Sequence, residues 1–391
     1  MKILICQLKN NGDIIRIFPL IDAIKFYYPD SYIGFTCFEE MVSITGVCKN
    51  IDVIYPQPKF SPVINTEGGT RILDCSIFEE IVKKVKKEEF DVYIDLHGVF
   101  QSAVFGSMCD IKIRLGRSKE TAKDGASIFY TDICEIKEKE INRMERHFVV
   151  AKKILNKIQP LMHKNFKNNN IVTIFPGSSK KGILKRWDID KYITVANYCS
   201  RNHIVRFVLG PEENELFEKL SKTTIQKIII SNNWEEMMGL ISESSIVIGN
   251  DGAYVHMAVW KNVFSIMLCG PLSPIINGIW KYGKGKTVYN GEAFDKGQKI
   301  KFIIDVNSGE VFKIVPDYDD EYNSNFNLPI TFEQASRIAL DNSFSGKVKS
   351  IELKNIDKKP YYTVEVKEDK SDKEINIDAN TGKVLNIKEN I

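Results

Sequence analysis

The sequence predicts an α/β protein of two doubly wound halves in succession, followed by a small α+β module. Three observations predict it. Short apolar runs alternate with amphipathic stretches over the first two-thirds of the chain. The alternation halts in a polar segment near residue 160 and then restarts. Beyond Tyr289 it gives way to alternating strands and a repeated hairpin.

In the first half, Ile3–Gln7, Tyr32–Cys37, Val53–Tyr55, Val92–Leu96 and Lys112–Leu115 have the length and composition of parallel strands. Helical periodicity covers Ile14–Tyr28 and Ile77–Glu88 between them. The stretch NKIQPLMHKNFKNNN marks a linker. In the second half, strands are expected at Ile171–Phe175, Val205–Leu209, Ile225–Ile230, Ile246–Ile248 and Phe264–Leu268. Helices over Ile189–Arg201, Asn214–Ser221, Trp234–Glu243 and Tyr254–Lys261 fit between them. Two such halves face one another across a cleft.

In the module, IDVNSGEVFKI (Ile304–Ile314) recurs as IDANTGKVLNI (Ile377–Ile387), identical at six of eleven positions. Each copy reads as strand, turn and strand, with Gly309 and Gly382 supplying the positive φ of the turn. A helix over Phe332–Asn342 is capped by Thr331 with Gln334 three residues on, and strands follow at Val348–Lys354 and Tyr361–Lys367. The expected boundaries are 1–165, 166–289 and 290–391, the last holding a partial repeat over 290–315 and a full one over 328–391.

Composition narrows the function. The 391 residues are 43% hydrophobic and 27% charged, and the net charge of +3 is too small to imply nucleic acid as a partner. The eight cysteines are scattered, without a CxxC, and read as buried reduced thiols of a cytoplasmic protein. No apolar run approaches the roughly 18 residues that span a bilayer, so membrane contact is expected to be peripheral at most. No histidine spacing suits a metal, and none of the five is paired as HExxH.

Chemistry-bearing residues gather where strands end. Gly12-Asp13 follows the first strand, and Asp13 is either an acidic helix cap or a carboxylate positioned to take a proton from a hydroxyl. Asp95, His97 and Gly98 follow another strand, His97 as a structural or a catalytic imidazole. The loop FPGSSKKGILKRW offers Ser178, Ser179, Lys180, Lys181, Lys185 and Arg186. It is either a solvated basic loop or a phosphate cradle, and it lacks the Walker pattern. Glu212 follows a further strand, to cap the next helix or to accept from a ribose or base. Gly249-Asn250-Asp251-Gly252 then opens a helix carrying His256, whose free amides suit a diphosphate. Shared placement at strand ends lines one cleft from both walls.

In this order the motifs MKILICQLKNNGDIIRIFPLIDAIKFYYPD, FDVYIDLHGVFQSA, TIFPGSSKKGILKRWDIDKY, LGPEENEL and VIGNDGAYVHMAVW…MLCGPLSP resemble glycosyltransferase family 9, the lipopolysaccharide heptosyltransferases, over roughly Met1 to Tyr289. The resemblance implies a GT-B fold and an inverting, metal-independent transfer of a sugar, heptose being one case, from a nucleotide-diphosphate donor to a lipopolysaccharide or other surface-glycan acceptor. It places Asp13 as catalytic base and Lys185 on the donor phosphate. Glu212 and Asp251 fall on the donor's nucleoside and sugar, with Gly252 and His256 beside the diphosphate. Ser178 and Ser179 join the donor side, and Gly12, Asp95, His97 and Gly98 the acceptor side. The sequence departs from the family at Gly252-Ala253-Tyr254, where Ser or Thr and then Gly-Pro are usual, and at Gln101, where a basic residue is common. From Tyr289 onward the chain resembles PepSY domains, through ITFEQASRIAL and YYTVEVKEDKSDKEINIDANTGKVL. The implied location is the cytoplasm, including the inner face of the membrane. The alternative function is a non-catalytic scaffold that keeps the transferase fold and engages a peptide or protein through its PepSY-like tail.

Overall fold

A computed structural model describes residues 1–59, 63–65, 71–73, 75–136, 141–161, 169–223, 227–270, 273–295, 298–305, 311–316, 330, 332–343, 346–356, 359–368 and 372–390. The chain divides into two compact units, Met1–Lys286 and Thr287–Ile391.

The first unit opens with β1 (Lys2–Cys6), α1 (Asn11–Ile15), α2 (Phe18–Tyr27), β2 (Tyr32–Phe38), α3 (Val42–Thr45) and β3 (Val53–Gln57). A short antiparallel pair, β4 (Val63–Asn65) and β5 (Arg71–Leu73), precedes α4 (Glu79–Lys87). Then come β6 (Val92–Asp95), α5 (Phe100–Met108), β7 (Ile113–Arg117), β8 (Asp132–Cys134) and α6 (Arg143–Lys152). The sheet order is β3-β2-β1-β6-β7-β8, parallel throughout. Strand order reverses between β1 and β6, so the loops leaving their carboxyl ends open a crevice, and residues 7–13 and 96–99 lie there.

One helix was expected over Ile14–Tyr28; the structure has two, broken at Arg16-Ile17. Pro19 is the cause. It lies in the first turn of α2, lacks an amide for the Ile15 carbonyl, and its ring would clash with that carbonyl in a continuous helix. The break leaves Arg16 as the C-cap of α1, 6% exposed in a run that is otherwise isoleucine and phenylalanine.

The second lobe of this unit holds β9 (Ile171–Phe175), α7 (Ile189–Cys199), β10 (Ile204–Leu209), α8 (Asn214–Ser221), β11 (Lys227–Ile230), α9 (Trp234–Glu243), β12 (Ile246–Asn250), α10 (Ala253–Trp260), β13 (Phe264–Cys269) and α11 (Pro274–Asn277). Its parallel strands run β11-β10-β9-β12-β13, reversing between β9 and β12. The loop after β9 carries the serine-lysine run, and the turn after β12 carries Asp251. Topology thus sets both at a ligand crevice. Each lobe has its own core: Leu4, Phe78, Tyr93 and Phe105 in the first, Ile174, Tyr192, Phe207 and Leu220 in the second. The fold is the two-domain arrangement of parallel sheets expected from the sequence. All eight cysteines are free thiols, and all but Cys75 and Cys199 are buried.

In the second unit, β14 (Gly285–Asp295), β15 (Gln298–Asp305) and β16 (Val311–Pro316) form an antiparallel ladder. After α12 (Phe332–Asp341), the strands β17 (Lys347–Ile356), β18 (Lys359–Lys367), β19 (Asp372–Asp378) and β20 (Val384–Asn390) make an antiparallel meander. Ala335 and Ala339 of α12 pack with Tyr362, Val364, Val366, Ile375 and Ile377, the inward-facing residues of β18 and β19. Gly382 takes φ +72° in the β19–β20 turn, where a side chain is strained. Its counterpart Gly309 and the cap Thr331 lie outside the described residues.

Candidate active site

Asp13 sits in the first turn of α1, and Asn10, not Asp13, is the residue before the helix. Asn10 takes φ 70°, and its side-chain amide donates to Asp13 Oδ2 at 3.0 Å. The other carboxylate oxygen accepts from Arg16 Nη1 at 2.8 Å and from Arg143 Nη1, on α6, at 2.7 Å. Asp13 is therefore bound by side chains of two helices rather than spent as a cap. Burial works to raise its carboxyl, but the two guanidiniums and Asn10 outweigh it and hold it well below the usual carboxylate range.

The second lobe meets this group through Asp251, which is 5% exposed in the turn after β12. Arg16 Nη2 donates to Asp251 Oδ1 at 3.1 Å, and Lys185 Nζ reaches Oδ2 at 2.9 Å. Burial pulls this carboxyl up as well, and His256, Arg16 and Lys185 together bring it below the usual range. Nε2 of His256 lies 2.5 Å from Arg16 Nη2 and 3.2 Å from Asp251 Oδ1. Nε2 thus stands between a guanidinium that only donates and a carboxylate that only accepts, and the two contacts ask for opposite tautomers. Burial and the Arg16 charge push His256 down to about 4. Gly12 stands close by: a Cβ there would lie 3.7 Å from the Ala253 amide nitrogen and 3.8 Å from the His256 ring, at ordinary contact.

The basic loop is internally braced. Ser178 Oγ donates to the Gly182 carbonyl at 2.9 Å and receives Arg186 Nε at 3.0 Å. Ser179 precedes the 3₁₀ turn Lys180–Lys185, which delivers Lys185 to Asp251. Asn250 fastens the loop to β12, donating to the carbonyls of Pro176 and Gly177 at 2.9 and 3.2 Å. Its own oxygen accepts from Trp187 N and Tyr192 OH, each at 2.9 Å. Gly252 is the extended residue preceding α10. Tyr254 turns toward β9, stacked on Phe175 with centroids 4.6 Å apart and flanked by Trp234 at 5.5 Å.

Asp95 and His97 form a separate group on the first lobe. The Asp95 carboxylate is fully buried and accepts from Ser102 Oγ at 2.6 Å, Tyr130 OH at 2.7 Å and the Gly98 amide at 2.8 Å. It shapes the loop rather than facing the crevice. His97 Nδ1 accepts from Gln7 Nε2 at 2.9 Å, which leaves the proton on Nε2; burial and Lys9 push it down to about 4. Gly98 takes φ +69°, and a Cβ on it would stand 2.3 Å from Arg117 Nη2. Gly98→Ala is expected to cost about 1–3 kcal/mol in urea unfolding. An unchanged midpoint would show that the loop has room to relax.

The structure thus brings Gly12, Asp13, Lys185, Asp251 and His256 into one cluster, with Gly252 at its edge. Glu212 is exposed. The carboxylate that faces the basic loop is its neighbour Glu213, which accepts from the Gly210 amide at 2.9 Å and lies 3.7 Å from Arg186 Nη2. Glu213 fills the space a side chain at Gly177 would need. Sequence reasoning also passed over Arg16 and Arg143. An arginine inside IIRIF, three residues after an aspartate, was the available signal for the first.

A family model described as glycosyltransferase family 9 (heptosyltransferase) matches residues 79–293, more than half of the chain. A second, described as peptidase propeptide and YPEB domain (PepSY), matches residues 329–388. Among solved structures, a family 9 glycosyl transferase from Veillonella parvula is similar, with a TM-score of 0.59 and 16% identity over 74% of this chain and 85% of that one. The ADP-heptose LPS heptosyltransferase II of E. coli has a TM-score of 0.57 and 16% identity over 76% of this chain and 92% of that one. The E. coli heptosyltransferase WaaC, solved with ADP, has 0.56 and 15% over 70% and 89%. At such identities the likeness is one of fold. No curated protein matches the chain.

Proposed function

Because the chain belongs to glycosyltransferase family 9, the heptosyltransferase family, we propose that it moves a sugar from a nucleotide-diphosphate donor to a hydroxyl of a surface-glycan acceptor, with inversion and without a metal. The observation that carries the reading is the single ion-paired cluster in which Asp13 of one lobe meets Asp251 and Lys185 of the other. A base and a phosphate-binding cation on opposite walls of one crevice are what such a transfer requires.

The acceptor hydroxyl approaches over the first lobe, and its oxygen attacks the anomeric carbon of the donor while its proton passes to the Asp13 carboxylate. The bond from that carbon to the diphosphate breaks on the opposite face, and the electron pair leaves with the diphosphate. Lys185 and the free amides at the start of α10 stabilise the charge that develops there, the part a metal plays elsewhere. Asp251 accepts from the donor sugar. Ser178 and Ser179 keep the loop in shape, and Glu213 rather than Glu212 stands nearest to it. His97 and Gly98 form the acceptor-side rim, and the buried Asp95 holds their loop in shape. Residues 1–165 carry the acceptor and 166–289 the donor, and the PepSY module over 290–391 engages a peptide or protein. Among the described residues no helix is long and apolar enough to cross a membrane. The reaction is assigned to the cytoplasm, with a lipopolysaccharide acceptor reached at the inner face of the membrane.

ADP-heptose is the first donor to test, since the second and third of those structural neighbours carry ADP-heptose or ADP in their descriptions. Calorimetry of the full chain against ADP-, UDP- and GDP-sugars is expected to yield one binder. Lys185→Met is expected to lower its affinity about tenfold and its turnover about 10²-fold. If no nucleotide sugar binds while a protein partner is captured by the full chain, the scaffold reading replaces this one.

A further inference from the structure

Among the described residues, three ion pairs join the lobe of β1 to the lobe of β9. Lys49–Glu235 has side chains 73% and 65% exposed, and Lys281–Glu145 has side chains 57% and 31% exposed. Pairs so open to water contribute about 0–1 kcal/mol. Arg16–Asp251 differs in kind, with side chains 7% and 3% exposed. Breaking a buried pair strands a charge and costs about 3–5 kcal/mol. The electrostatic decision to close the lobes therefore falls on Arg16.

Its two terminal nitrogens divide between the lobes. Nη1 holds Asp13, while Nη2 holds Asp251, the His256 imidazole and, at 3.4 Å, the Asn277 carbonyl. A guanidinium is rigid and planar, so fixing one nitrogen fixes the direction of the other. The Pro19 break puts this side chain at the end of a five-residue helix whose opposite end is Asn10, so Asp13 and Arg16 are tethered within one turn.

We propose that Arg16 is a positioning residue for the transfer, a fork that sets the Asp13 carboxylate in register with Asp251 only when the lobes are closed. This rests on the reading of Asp13 as the base. The consequence is a chain of contacts: Lys185 holds Asp251, Asp251 holds Arg16, and Arg16 holds the base. The groups facing Asp13 are Asn10 and Arg16 from its own segment and Arg143 from α6, with Asp251, His256 and Lys185 beyond Arg16. Arg117 and Arg146 bear on the same pocket through their charges, and His97 and His147 lie near it as imidazoles that burial keeps neutral.

The test compares Arg16→Gln and Arg16→Lys with the parent, using release of nucleoside diphosphate from whichever donor the panel above identifies. Arg16→Gln is expected to lower kcat about 10²-fold with the donor KM within about threefold, because Lys185 and Asp251 remain. The parent rate is expected to stay flat toward acid until the fold is lost. In Arg16→Gln an acid limb appears above that point, because Arg143 alone no longer holds Asp13 as far down. Arg16→Lys restores a charge but not a fork, so the limb recedes while kcat stays low. A merely structural arginine would reduce the folded fraction and leave the pH profile of the remainder unchanged. Parent-like kcat in Arg16→Gln, or a lowered kcat with an unmoved limb, overturns the inference while an active parent preserves the proposed function. A parent that turns over no nucleotide sugar overturns the proposed function first.

Discussion

Asp13→Asn is expected to bind nucleotide sugar within about threefold of the parent and to transfer it 10²–10⁴-fold more slowly. Asparagine keeps the shape of the side chain and can still accept from Arg16 and Arg143 through its carbonyl oxygen, so the cluster has a route to persist. What it loses is a proton acceptor. The donor contacts lie on the other lobe, at Lys185 and Asp251, which explains why affinity is spared. Burial, which works to raise the carboxyl, is overcome by the paired guanidiniums, so Asp13 is ionised at neutral pH. Its basicity in the reaction must then come from placement against the hydroxyl rather than from a pKa near neutrality. Calorimetry and single-turnover kinetics on the same preparation separate the two effects. Parent-like transfer in Asp13→Asn removes the base from the mechanism.

The second large effect is on stability against acid. His97 and His256 are pushed down to about 4 and His147 is held well below its ordinary value, in each case chiefly by burial. A histidine in the unfolded chain titrates near 6.5. Because the folded value is depressed, the stabilising difference is complete above about pH 6.5. It is lost as pH falls toward 4, where the unfolded chain takes up protons that the folded chain refuses. For His97 and His256 this amounts to about 2 kcal/mol each between pH 7.5 and pH 5. Asp13 and Asp251, also depressed, add a loss of the same sign only below the ordinary carboxylate range near pH 4. Urea unfolding from pH 7.5 to 5 is expected to show stability falling by about 4 kcal/mol or more, with at least two protons taken up on unfolding. His256→Gln should remove about one of those protons, and a flat profile over that range would show that the imidazoles titrate normally.

Much of this architecture was legible because parallel strands between helices are continuous apolar runs. Val92–Asp95 and Phe264–Cys269 announce themselves by composition alone, and the observed ends differ from the expected ones by a residue or two. The single helix over Ile14–Tyr28 misjudged Pro19: the apolar period continues through the break, and only the missing amide and the ring clash interrupt it. α6 went unlisted although Met144, Phe148 and Ala151 are buried at helical spacing behind an Asn142 cap, because charged residues interrupt the run. Of the candidate site, the strand-end acids were visible as motifs, since topology delivers strand ends to one crevice. The guanidiniums around Asp13 were not. Arg143 is 130 residues distant in sequence, and Asp251 is 235 from Arg16. Glu212 and Glu213 cannot be told apart by type, and the short turn after β10 decides which of them faces inward.

The most direct test of the central claim, that the Asp13 and Asp251 walls serve one reaction, is a crystal structure of Asp13→Asn with the nucleotide sugar that the panel identifies. The account predicts the diphosphate against Lys185 and the first amides of α10, the sugar on Asp251, and the anomeric carbon facing residue 13 across a gap that one hydroxyl fills. A donor whose anomeric carbon faces away from residue 13, or whose diphosphate leaves Lys185 on Asp251 and lies elsewhere, would contradict it.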